Sequence, residues 1–248
     1  MQRRTARIAT SSMSIFAAWI AIAASGAAAA LLISLHVLSP EFSPAWRMIS
    51  EYANGQYGWV LSLMFIAYGL SILALAVAIR PYFNTRRQNF GLALLVLSGI
   101  GAASAAQFDL NQAVLHELAG VVGILCLPIS AMLTRPKLAA TAPSGRAKNL
   151  ILLAANLTWL SVVLWIASFA LMIVTFLLAL GGLPATPPEE LPAGVIAVVG
   201  WTNRLMVLSA WCWVSILAWH VITLQTTARG VLQGAYRGSA MGKETVGA

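Results

Sequence analysis

Residues 150–180 read LILLAANLTWLSVVLWIASFALMIVTFLLAL, without one charged side chain. As a helix this run extends about 46 Å, more than the roughly 30 Å hydrocarbon layer of a bilayer. Working outward from it, five more apolar runs appear: Met13 to Leu38, Tyr57 to Ile79, Phe90 to Gln107, Ala113 to Leu133 and Gly194 to Leu224. Each is long enough to cross as a helix, the third near the lower limit, whereas the runs at 150–180 and 194–224 exceed the need and are expected to tilt or project. A membrane barrel would require shorter alternating strands. The reading is therefore an all-α, polytopic transmembrane bundle of six helices.

Composition agrees. Of 248 residues, 60% are hydrophobic and only 9% charged, and mean hydropathy is +0.83; soluble domains carry roughly 25% charged residues. The net charge of +8 does not point to nucleic acid, because the basic residues lie between apolar runs and not along one helix face. Arg3, Arg4 and Arg7, then Arg80, Arg86 and Arg87, then Arg135, Lys137, Arg146 and Lys148, then Arg229, Arg237 and Lys243 all fall on one side of a six-span chain. By the positive-inside rule that side is cytoplasmic, with both termini inside. The opposite side collects Glu41, Glu51, Asp109, Glu117, Glu189 and Glu190, with Arg47 and Arg204. Residues 1–12 and 229–248 are expected to be cytoplasmic tails flanking a single domain over 13–228, in a bacterial inner (plasma) membrane. The basic N-terminus resembles the start of a secretory signal, but the run to Leu38 is too long for one and reads as the first span. Cys126 and Cys212 lie within apolar runs and read as packing residues.

Within the runs, Ser25, Gly26 and the alanines after them present small residues on which a neighbouring helix can pack. Pro128 is expected to bend its span. Trp19, Trp59, Trp201 and Trp219 lie towards span ends as interfacial anchors, while Trp159, Trp165, Trp211 and Trp213 sit deeper, as bulk packing or the wall of an apolar cavity.

Polar chemistry concentrates at the outer boundary: His36, Arg47, Glu51, Tyr52, Gln107, Asp109, His116, Glu117, Asn203 and Arg204. Ionisable groups at the hydrocarbon edge usually face a bundle interior or one another. Arg204, about ten residues into the last run, requires a partner; Asp109 or Glu117 is expected, with Glu51 a further choice. Asp109, His116 and Glu117 are the catalytic candidates, and His36, Glu51, Tyr52, Gln107, Asn203, Arg204 and Trp211 the ligand-binding ones. His36, His116 and Asp109 could together hold zinc, but His116-Glu117-Leu118-Ala119-Gly120 lacks the second histidine of a zincin helix, so no metal site and no cofactor is assigned. His220 lies near the opposite boundary and cannot join the other two histidines.

Ile49-Ser50-Glu51-Tyr52, Tyr57-Gly58, Gly69, Phe108-Asp109 and His116 with Gly120 resemble the bacterial membrane family catalogued as domain of unknown function 998. The resemblance covers roughly residues 15 to 225 and implies a compact helical bundle with polar outer residues; it carries no activity. Three function classes fit the residues. The bundle binds or moves a small amphiphile or lipid; or it is an intramembrane acid-base or metal-assisted enzyme; or it is a structural assembly partner. Membrane lipids are the expected surroundings in all three.

Overall fold

A computed structural model describes residues 12–108, 112–182, 188 and 190–244, with side chains as far as Gly230 except at Ala113. Six α-helices follow in order: α1 Ser12–Leu38, α2 Gly58–Ile79, α3 Arg86–Ser104, α4 Ala113–Ala140, α5 Gly145–Leu180 and α6 Val199–Glu244. Short 3-10 turns occupy Ile49–Asn54 and Arg80–Tyr82, and there is no strand among the described residues. The protein is an all-α, multi-pass membrane bundle.

Five helices, α1, α2, α4, α5 and α6, are long and apolar enough to cross a membrane. The third expected run is the exception. Thr85 caps α3 by accepting from the Gln88 backbone N–H while the Gln88 side chain accepts from the Thr85 N–H, so the helix begins on the polar residues Arg86 to Asn89. It ends at Ser104, three residues short of the expected Gln107. Its apolar part is only about 22 Å long, which is short of the hydrocarbon thickness. The other differences are extensions. α4 continues through Pro136 to Ala140, and α6 starts at Val199 and runs on to Glu244. Ser144 caps the start of α5, and Gly181 ends it in the left-handed region at φ 71°, its N–H bonded to Leu177 O.

Successive helices are neighbours, and α6 returns to pack on α1. α6 also touches α2, so α1, α2 and α6 form a mutually packed core, from which α3, α4 and α5 run as an arc. Small residues bring the first helix in close: Ala17, Ala18, Ala21, Ala24, Ser25 and Ala28 are buried, while Gly26 faces outward. Within the arc, a Cβ on Gly101 would lie 2.7 Å from Gly123 N and 2.8 Å from Ala119 O, so α3 and α4 meet backbone to backbone. Ser98 Oγ donates to Gly123 O at 2.7 Å across the same contact.

The outer surface is apolar, as lipid requires. Leu153, Leu157, Leu164, Val174 and Leu178 of α5 are exposed. Trp19, Trp59, Trp201 and Trp219 are exposed towards helix ends, and Trp19 meets Trp219 edge-on at 6.1 Å.

Candidate functional site

The polar residues expected to form one cluster divide into two groups. The first is a cap, made where the α1–α2 connection folds over the start of α6. Gly200 N–H donates to Ala45 O at 3.0 Å, and Asn203 Oδ1 accepts from Ile49 N–H at 3.0 Å. Between them Arg204, 4% exposed, extends its guanidinium into the cap. Its Nε donates to His36 Nε2 at 2.7 Å, Nη1 to Arg47 O at 2.8 Å and Gly200 O at 3.0 Å, and Nη2 to Tyr52 OH at 3.1 Å. Four of the five donors are thereby used.

The same network assigns the state of His36. Its Nδ1 lies 2.7 Å from Leu32 O, an acceptor, so Nδ1 carries a proton and donates. Nε2 receives a hydrogen bond from Arg204, so it holds a lone pair, and the ring is neutral. Both ring nitrogens are occupied, which removes His36 from any shared zinc site with His116. Among the described residues no three metal-binding side chains gather.

The expected ion pair of Arg204 with Glu117 is corrected here. Glu117 is exposed and makes no contact with Arg204; Asp109 lies outside the described residues. The single ion pair among the described residues joins Arg47 Nη1 to Glu51 Oε2 at 2.7 Å. Glu51 Oε1 accepts from Met48 N–H at 2.7 Å, and Arg47 Nη2 donates to Pro188 O at 2.5 Å. Arg47 also stacks 4.0 Å above the Trp46 ring. Arg204 is surrounded by neutral acceptors because the loop carbonyls and His36 reach it first. With four of its five donors engaged within the protein, it staples the cap together.

The second group lines a cavity of about 360 Å³ between the three-helix core and the arc. α2, α3, α4, α5 and α6 contribute its wall, and α1 contributes nothing. His116, Glu117, Asn203 and Ser50 are its polar residues at the cap end. Phe65, Tyr68, Ile124, Leu127, Pro128, Val162, Trp165, Phe169 and Met206 make an apolar, aromatic depth. From His116 to Pro128 the wall runs about 18 Å along α4.

His116 Nδ1 donates to Phe108 O at 2.7 Å, so Nε2 is left as an acceptor with no partner among the described residues. His116, Phe65 and Ala105 also border a second, more polar cavity of about 300 Å³, lined by Gln56, Ser62, Gln107 and Phe108. His116 thus stands in the partition between the two spaces.

Each candidate among the described residues now has a place. His36, Glu51, Tyr52 and Arg204 hold the cap; His116, Glu117 and Asn203 line the larger cavity; Gln107 lines the smaller one. Trp211 is buried edge-on against Tyr68 at 5.7 Å and does not line the cavity; Trp165 does. Tyr68 and Phe169 were missed by sequence reasoning. Tyr68 had a signal, as the one phenol well inside the second span; Phe169 had none.

Residues 22–220 match the model of the family described as protein of unknown function DUF998. The chain belongs to that family. No curated protein and no solved structure matches it. In this DUF998 protein the quoted motif residues separate by role: Ile49, Glu51 and Tyr52 sit in the cap, whereas His116 and Gly120 face the cavity.

Proposed function

We propose that this protein binds a small amphiphile in the larger cavity and passes it between the bilayer and the outer face. The observation that supports this reading is the gradient along the cavity wall. At the cap end His116 Nε2 and the Asn203 amide nitrogen have no partner among the described residues, while the Asn203 oxygen is held by Ile49. About 18 Å further along, the wall is aromatic and aliphatic. Polar groups with open hydrogen-bonding capacity at one end and hydrocarbon at the other match a molecule with a head and a tail.

The test is mass spectrometry of gently solubilised protein, wild type against Gly120→Phe. Gly120 lines the cavity, and a Cβ built on it meets nothing within 4 Å, so the position is open for a phenylalanine ring to occupy the space. The wild type is expected to carry a stoichiometric amphiphile that Gly120→Phe lacks. A ligand retained equally by both proteins would place it elsewhere and remove the cavity from the proposal.

The proposed topology has six spans, α3 crossing in the shelter of α2 and α4, with both termini cytoplasmic and the cap end outside. The distribution of basic residues supports it. In a background lacking Cys126 and Cys212, cysteine at Asn149 should react only from the cytoplasmic side and cysteine at Glu190 only from outside; both positions are exposed. Reaction of the Asn149 variant in intact cells with an impermeant reagent would reverse the orientation.

A further inference from the structure

The cavity's charge and its unpaired groups identify the kind of head it takes. Among the described residues Glu117, at the mouth, is the one charged residue in its wall, and no lysine or arginine lines it. The two guanidinium groups of the cap are engaged elsewhere: Arg47 is paired with Glu51, and Arg204, although next to Asn203 in sequence, turns to His36, Tyr52 and two backbone carbonyls. His116 turns Nε2 to the cavity, a lone pair in the neutral ring whose proton sits on the Nδ1 that donates to Phe108 O.

Deeper in, Phe65, Tyr68, Trp165 and Phe169 present four aromatic rings, with Trp165 and Phe169 stacked at 6.2 Å. Aromatic faces carry partial negative charge and attract cations, quaternary ammonium groups especially. Tyr68, 9% exposed, stands among these rings and meets Trp211 edge-on. A carboxylate, a lone pair and aromatic faces together disfavour an anionic head, which would meet Glu117 with no cation in the wall to offset it.

Size narrows the ligand further. At about 30 Å³ for a water-sized unit, 360 Å³ holds roughly a dozen non-hydrogen atoms. That is one short chain with its head, and far less than a two-chain phospholipid. We infer that the cavity selects a single-chain cationic amphiphile, a protonated amine or quaternary ammonium, with its head against Glu117 and His116 and its chain among the rings. This deepens the proposed function and rests on the cavity being a ligand site.

The experiment uses full-length protein in nanodiscs of zwitterionic lipid, titrated calorimetrically with octyltrimethylammonium, octanoate and octanol, with empty nanodiscs subtracted. The ammonium is expected to bind at least tenfold more tightly than octanoate. Glu117→Gln, at an exposed position, should cut ammonium affinity about tenfold while leaving octanol unchanged, and Gly120→Phe should abolish binding of all three. Equal binding of the three, or tighter binding of octanoate, with loss in Gly120→Phe, would overturn the charge selectivity while keeping the amphiphile site. Failure of all three to bind, or binding unaffected by Gly120→Phe, would overturn both.

Discussion

Arg204→Met is expected to lower the thermal midpoint of the purified protein on the order of 10 °C. The substitution keeps the length and apolar stem but removes four hydrogen bonds, three of which join α6 to His36 on α1 and to Tyr52 and Arg47 in the connecting loop, the fourth being to Gly200 O within α6. His36 Nε2 and the buried carbonyls are then left without donors, at about 1–3 kcal/mol for each group that water cannot reach. A net loss of about 3 kcal/mol corresponds to roughly 6–12 °C for a chain of this size. Arg204→Lys should fall between, because one ammonium on a flexible stem does not reproduce the planar fork that spans these acceptors. A double-mutant cycle of Arg204→Met with His36→Phe measures the shared bond directly: coupling of about 1 kcal/mol or more is expected. Strict additivity there, together with strong coupling between Arg204→Met and Glu117→Gln, would restore the carboxylate partner that the structure rules against.

Gly200→Ala should destabilise the same cap by a steric route. A Cβ at this position would stand 2.3 Å from Pro44 O, 2.7 Å from Arg47 O and 3.0 Å from Ala45 C, all backbone atoms that cannot rotate away. Either the loop lifts from α6 or the helix shifts, and both stretch the Gly200 N–H to Ala45 O bond. Overpacking of this kind costs about 1–3 kcal/mol. The readouts are the thermal midpoint and the rate of tryptic cleavage after Arg47, which should rise several-fold as the loop loosens. Gly120→Ala is the matched control: nothing lies within 4 Å of its Cβ, so alanine there should be neutral or slightly stabilising through helix propensity. A Gly200→Ala protein as stable and protease-resistant as the control would mean that the loop is not seated on α6.

The architecture was legible where it depends on local composition. Five apolar runs became membrane-length helices, Ser144 and Thr85 cap helix starts as short polar residues do, and the tryptophans near span ends face outward. Even the weak third run carried its warning in Arg86, Arg87, Gln88 and Asn89, which begin α3 with a polar turn. The outer polar residues were also rightly singled out as belonging to one end of the molecule, and His116, Glu117 and Asn203 do share a cavity wall.

The partners of those residues were decided by tertiary structure alone. Arg204 and His36 are separated by 168 positions, and two more acceptors, Arg47 O and Tyr52 OH, belong to a loop whose path over α6 depends on the missing Cβ of Gly200. Charge matching suggested a carboxylate; proximity supplied a neutral histidine, a phenol and two carbonyls. The exchange of Trp211 for Trp165 has a different cause. In a soluble helix the polar face marks which residues point inward, but here lipid is as apolar as the core, so hydropathy carries no rotational phase. A sequence in which both faces are hydrocarbon determines which helices are long and apolar enough to cross the membrane; only packing against their neighbours determines which face meets the cavity.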